Sequence, residues 1–390
     1  MKIIIVGEGM AGMTLALAVS ILSSGRIQIE IVNTISTQKK EQVNFDTRAI
    51  ALAYGTCEQL KQIGIWQDLQ IFATPIKNIY VSDQGGVGWI SIRSRDYKIP
   101  YLGQVVEIYK ARTCFLKLLQ KAPGVQSTHY AQIVKVIRQK NSASIQLDNG
   151  TVLTGELLVA ADGSYSILAQ NCHIHYNKTT YDQIAVITNL ITAYPHHNKA
   201  FERFTCYGPF AMLPLSEGRC SLAWCYPVQE QVDSWNDIKF IHNIQQIFGW
   251  ILGKIIKIDK RYYYPLELIY THQHISHRLA LIGNAAQTLH PIAGQGFNLG
   301  LRDVMSLAEI IVQAEIQGYD IGSYKVLSQY QKRRRPDQQA TISVTDGLIH
   351  IFSNRLLPFV IGRNLGMIAM TLIPQLRETL IRRALGWVKR

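Results

Sequence analysis

Residues 2–6 form an apolar run, Lys-Ile-Ile-Ile-Val, that closes on Gly7 and predicts a buried strand. Residues 11–22 are rich in Ala and Leu and predict a helix, and residues 27–32 alternate into a second strand. Residues 46–72 read as helical, with Ala51, Leu52, Leu60, Ile63 and Trp66 on one face; residues 76–109 turn strand-like. Residues 133–138 and 144–153 read as two strands joined through Asp148-Asn149-Gly150. Residues 157–161 form a short buried strand. Residues 180–275 alternate in the antiparallel manner, with a hairpin turn at Ser216-Glu217-Gly218. Residues 279–282 return as a buried strand, and from Phe297 onward the pattern is helical.

Three motifs sit where these elements meet. Gly7-Glu8-Gly9-Met10-Ala11-Gly12 fits GxGxxG between the first strand and the first helix. There Gly7 makes the turn, Gly9 admits a pyrophosphate to the backbone, and Gly12 lets helix pack on strand. The usual acidic partner about 20 residues on is Asn33 here, which still hydrogen-bonds a ribose hydroxyl but without charge assistance. Ala160-Ala161-Asp162-Gly163-Ser164 follows the 157–161 strand; alone it reads as an ordinary turn. Leu281-Ile282-Gly283-Asn284-Ala285-Ala286 leads into His290-Pro291-Ile292-Ala293-Gly294-Gln295-Gly296-Phe297-Asn298. Backbone amides near 294–298 would then face the negative charge that develops on a reduced flavin.

Together these predict an α/β fold in three parts. A Rossmann-like FAD-binding layer takes residues 1–75, 105–175 and 277–335. A mixed and antiparallel β-rich substrate layer takes 76–104 and 176–276, and a C-terminal helical region takes 336–390.

Composition adds location and partners. Six cysteines show no CxxC pair or repeated spacing, which predicts a reduced cytoplasmic setting rather than a disulfide or zinc framework. No signal peptide opens the chain, and the apolar stretch 356–374 is broken by Pro358, Arg363 and Asn364, short of the roughly 20 residues a span needs. From Lys332 to Arg390 eleven Lys/Arg stand against three Asp/Glu, so +8 of the net +13 lies in the last 59 residues. Leu376, Leu380, Ile381, Leu385 and Trp387 alternate there with arginines, which suits either a solvated capping helix or docking on anionic lipid or a partner. No nucleic-acid motif accompanies the charge. Cys172-His173-Ile174-His175 and His196-His197 lack partners at ligand spacing and predict surface loops without metal.

The chain resembles, essentially end to end, the FAD-dependent aromatic hydroxylases of the para-hydroxybenzoate hydroxylase type. Within them it is similar to the ubiquinone-biosynthesis branch, in particular to enzymes of 2-polyprenyl-6-methoxyphenol. Beside the motifs above, the resemblance rests on residues 45–52 (Phe-Asp-Thr-Arg-Ala-Ile-Ala-Leu), Phe201-Glu202-Arg203-Phe204-Thr205, and residues 300–309. It implies that Gly7, Gly9 and Gly12 hold the FAD pyrophosphate and that Arg48 reaches back to the cofactor. Asp162-Gly163 would serve both FAD and the NADPH or NADH donor. Asn284, where the wider family has Asp, would bind the ribityl chain after Gly283. Pro291, Gly294, Gln295, Gly296 and Asn298 would border the isoalloxazine and substrate. Two departures stand out: Tyr109 replaces an arginine, with Arg112 a helical turn away, and Ala169 replaces another.

The reaction so implied reduces FAD, captures O2 as a C4a-hydroperoxide and delivers oxygen to a polyprenylated phenol, so no side chain is assigned as catalytic. His290 and Pro291 would line the flavin and substrate loop, with His290 positioning it. A multi-protein ubiquinone-synthesis assembly and the inner face of the membrane are the further partners expected. A flavin reductase and a non-catalytic prenyl-binding protein remain alternatives; a halogenase lacks its WxWxI element here.

Overall fold

Strands from five distant stretches of chain line up in parallel to make the first sheet. In the computed structural model, which describes residues 1–34, 48–354 and 356–387, their order is Val125–Tyr130, Gln28–Asn33, Lys2–Val6, Leu157–Ala160 and Leu279–Leu281, with Ile275–Ser276 antiparallel at the edge. Lys2–Val6 is central, Ile3 lying between Ile29 and Leu157. Its unbroken apolar run follows from burial on both faces. Ile3 and Ile5 pack into the core with helices Met10–Leu22 and Gln295–Ile316, while Ile4 and Val6 join a second core under a three-stranded sheet.

That small sheet corrects one expectation. Asp148-Asn149-Gly150 does not join 133–138 to its neighbour; it turns Ala143–Leu147 back onto Val152–Gly155, and Ile133–Arg138 flanks the pair. A second correction concerns residues 46–72. Residues 45–47, part of that expected helix and of the resembling stretch, lie outside the described residues. Ala49–Ala53 is a strand, paired antiparallel with Gly103–Glu107, and helix begins only at Tyr54. The Ala-Leu composition that suggests helix is overridden by a partner fifty residues away.

The large sheet has nine strands and takes Asn78–Asp83 and Trp89–Arg93 alongside strands from residues 177–288. It is antiparallel except where Lys199–Thr205 runs parallel to Asn78–Asp83. The expected turn at Ser216-Glu217-Gly218 joins Gly208–Pro214 to Arg219–Pro227. Within 180–275 a helix, Asp237–Phe248, also appears; its buried Phe240, Ile244, Ile247 and Phe248 cover one face of the sheet.

Helices Tyr324–Ser353, Leu357–Leu372 and Pro374–Ala384 complete the chain. The last returns to the start of helix Tyr54–Gln62, where Gly55 N donates to Leu385 O at 2.8 Å. No single helix among the described residues is long and apolar enough to cross a membrane.

Candidate functional site

Strands Lys2–Val6, Leu157–Ala160 and Leu279–Leu281 end side by side, which brings the three motifs to one crevice at their C-terminal edge. Close packing there has no room for side chains. A Cβ on Gly7 would fall 2.2 Å from Ala161 O, and one on Gly12 would fall 1.9 Å from Gly7 O. A Cβ on Gly9 would meet nothing within 4 Å, so that position borders open space. Gly9 also stands at the N-terminus of helix Met10–Leu22, where no side chain caps the first amides. Those amides are available to an anion.

Glu8 organises the rim of this turn. Its buried carboxylate accepts from Asn33 Nδ2 (2.9 Å) and from Arg112 NH2 (2.9 Å), while Arg112 NH1 donates to Glu8 O (2.8 Å). The carboxylate absent from position 33 therefore lies one hydrogen bond away. Arg112 is thus bonded directly to the glycine loop, and its spacing of one helical turn beyond Tyr109 is the signal that could have assigned it. Glu107 points elsewhere. Burial raises its pKa, but hydrogen bonds from Arg219 and Lys110 outweigh burial and hold it below the usual range.

At the second motif Gly163 has φ +93°, a left-handed turn that favours glycine. Asp162 Oδ2 accepts from Leu168 N at 3.3 Å, whereas its buried Oδ1 has no partner among the described residues. Burial raises this carboxyl above its ordinary value. An orphaned acceptor at a strand end calls for a donor that the described residues do not supply. At position 169 the backbone N–H of Ala169 donates to Ser166, the cap of a short helix.

The third motif packs on the long helix Gln295–Ile316. Gly283 (φ +57°) and Gly300 let loop and helix approach, a Cβ on Gly300 lying 3.1 Å from Gly283 Cα. Asn284 is exposed. Gly294 (φ +61°) begins the long helix without a side-chain cap, and a Cβ on Gly296 would meet open space. Arg48 lies with its guanidinium 4.8 Å from the Tyr264 ring centre.

The side chain of Asn298 is engaged within the protein. Its Oδ1 accepts from Ala53 N (2.8 Å) and Thr56 Oγ1 (2.7 Å), and its Nδ2 donates to Ala51 O and Gly294 O (2.8 Å each). All four bonding positions of the side chain are used within the protein. Asn298 is thus a clasp between strand Ala49–Ala53 and the 291–294 loop.

His290 is buried beneath that loop, edge-on to Tyr181 at 5.1 Å, and its Nε2 lies 3.1 Å from Gln183 Oε1. Gln183 can only accept there, which assigns the proton to Nε2. Desolvation lowers the imidazole pKa to about 4, so it is neutral at pH 7. Of the other histidines expected on surface loops, His173, His175 and His197 are exposed, whereas His196 is buried and bonded to Leu215 O. Among the described residues no three His, Cys, Asp or Glu side chains gather to hold a metal.

Sequence reasoning missed two further features. Asp303 binds Gly283 N, Gln287 and Arg334 at once, and Asp337 joins Arg302 to Arg334, fastening the third motif to the following helix. Across three strands, Ala185, Cys225, Ala223 and Ala211 lie in register on one face, opposite to Trp224 and Phe210. Register places Glu202 on the same face as Ala211, and two residues on along that strand Phe204 packs with Ile292 of the flavin-loop motif. That face thus mixes small side chains with Ile187, Tyr264 and Phe204.

Comparison with known proteins agrees with this geometry. The family profile described as "FAD binding domain" matches residues 1–345. The ubiquinone hydroxylase UbiL of Rhodospirillum rubrum is 31% identical over 99% of this chain and 90% of its own length. The 3-demethoxyubiquinol 3-hydroxylase of Escherichia coli is 29% identical over 99% and 98%. Among solved structures, p-nitrophenol 4-monooxygenase PnpA of Pseudomonas putida superposes with a TM-score of 0.79 at 16% identity, covering 98% of both chains. The chain belongs to the family of FAD-binding monooxygenases and is an FAD-dependent enzyme. Its residues fit the cofactor: the uncapped helix start at Gly9, the open space beside it and the orphaned Asp162 Oδ1 are what a dinucleotide would fill.

Proposed function

We propose that the enzyme hydroxylates the aromatic ring of a polyprenylated phenol, converting a 2-polyprenyl-6-methoxyphenol to its 1,4-benzoquinol with NADPH or NADH and O2. FAD supplies the redox and oxygen-transfer chemistry. The observation that carries the reading is the meeting, at one crevice, of the Gly9 helix start, the orphaned Asp162 Oδ1 and the uncapped start of helix Gln295–Ile316. The hydroxylases of ubiquinone intermediates named above supply the substrate class.

The chain's own residues have defined parts in it. Gly7, Gly9 and Gly12 with the first helix receive the pyrophosphate, Asp162 Oδ1 accepts from the cofactor, and Asn284 serves the ribityl chain. Gly294, Gln295 and Gly296 present the start of the long helix to the flavin ring, where its dipole favours negative charge. Asn298 holds that loop in place. Neutral His290 offers Nδ1, which has no protein partner among the described residues, as an acceptor beneath the loop. Arg48, whose guanidinium lies 4.8 Å from the Tyr264 ring centre, reaches towards the cofactor.

The test incubates the holoenzyme with NADPH, 18O2 and a short-chain 2-prenyl-6-methoxyphenol. A product carrying one 18O at the ring position para to the phenol oxygen is expected. Incorporation at another carbon moves the assignment to a sister step. NADPH consumption to hydrogen peroxide alone, unaffected by any phenol, overturns the reading.

A further inference from the structure

The helix Leu357–Leu372 has two distinct faces. One covers the edge strand Trp89–Arg93 and the turn before it. Asn364 Oδ1 accepts from Gly88 N (3.1 Å), Thr371 Oγ1 donates to Trp89 O (2.6 Å), Met367 is buried against Gly88, and Arg363 reaches Asp83 (2.7 Å). The other face carries Leu357, Ile361, Leu365, Ile368 and Leu372, each between 36 and 75% exposed. At 3.6 residues per turn these five fall within an arc of about 80°, so they form one continuous stripe. Leu376 and Leu380 extend exposed apolar surface onto helix Pro374–Ala384.

The charges around this surface are mostly positive. No Asp or Glu occurs from Gly347 through Arg377, Glu378 is paired with Arg382, Arg383 follows, and the last 59 residues carry +8. A stripe of large aliphatics beside a carboxylate-free basic segment is complementary to an interface that is apolar within and anionic outside. The two helices meet at 94°, so they do not cross a bilayer as one rod; the longer one, about 24 Å at 1.5 Å per residue, suits lying flat.

We propose that this stripe docks the enzyme on an anionic lipid surface, with the leucines and isoleucines among the acyl chains and the arginines at the headgroups. A second copy of the chain is a poorer occupant, because a two-fold contact would set the same basic segment against itself. A polyprenyl substrate would give the contact a purpose. The contact itself rests on the stripe and its charge, and the assay below contains no substrate, so either reading can fail alone.

The test uses the full-length holoenzyme and its I361E/L365E/L372E variant. All three positions are exposed, and neither the cofactor site nor the packed face of the helix is touched. Co-sedimentation is followed by flavin absorbance. Wild type is expected to partition at least tenfold more onto vesicles of phosphatidylglycerol and phosphatidylcholine than onto phosphatidylcholine alone, and to release as salt rises. The variant should lose at least tenfold of that binding while keeping the wild-type ratio of FAD to protein and melting temperature. Equal partition of variant and wild type overturns the proposal. So does failure of wild type to bind anionic vesicles, whether or not sedimentation equilibrium then shows the stripe joining two copies.

Discussion

His290 and His274 are both buried, and desolvation depresses each from 6.5 to about 4. The unfolded chain binds protons that the folded chain refuses. Their contribution to stability is therefore complete above pH 6.5 and drains away as pH falls towards 4. Each is worth at most roughly 3 kcal/mol. Melting temperature measured from pH 7 to pH 4 should fall steeply for wild type and less steeply for His290→Gln, which keeps a donor towards Gln183. Parallel curves for the two proteins would remove His290 from the acid response. The same neutrality means that His290 presents no cation to the ring beside it at pH 7.

Between elements, the active-site loop is held by few but well-satisfied polar side chains. Asn298 is the clearest, with four hydrogen bonds that join Ala49–Ala53, helix Tyr54–Gln62 and Gly294. Asn298→Ala strands the Ala53 amide and two carbonyls inside the protein, at a cost of about 2–4 kcal/mol. Urea unfolding should show that loss, and dialysed protein should retain less FAD. A variant as stable and as yellow as wild type would return Asn298 to the set of direct ligand contacts. This clasp also shows where the sequence stops being legible. The glycine turns, the Asp162-Gly163 strand end and the Gly283 strand could be read because each is local, a few residues obeying strand-turn-helix rules. Ala49–Ala53 could not, since an Ala-Leu run favours helix until Gly103–Glu107 is known to lie beside it. Nor could the sheet face of Ala185, Ala211, Ala223 and Cys225, which exists only as a register between residues 12 to 40 apart.

Over the whole molecule, the C-terminal helices do more than present an apolar stripe. They shield the edge of the nine-stranded sheet through Asn364, Thr371 and Arg377, which bonds Ser91 O at 3.0 Å. They also bury Ile381 and Leu385 against Leu102. A chain ending at residue 345, where the family match ends, would uncover that edge strand and cluster. Such a truncation should aggregate by light scattering at concentrations where the I361E/L365E/L372E protein stays monodisperse. A soluble truncated protein would show that the sheet edge does not need its cover. Point substitutions on the stripe therefore separate docking from folding, which removal of the whole region would confound.

The parallel sheet has one further consequence, which concerns birth rather than function. Its central strand is made well before the partners that complete the crevice, which come from residues 157–160 and 279–281, and the helix that roofs it begins at Gln295. A ribosome adds roughly 5–20 residues per second, so the glycine turn waits on the order of 15–60 s before the last wall of its cofactor site has even been synthesised. For about the first half of that interval the Ile-rich strand has Gln28–Asn33 on one side but not Leu157–Ala160 on the other. Flavin capture is thus expected after translation is nearly finished, and chaperones that mask apolar nascent chain have most to do on the first half of this one.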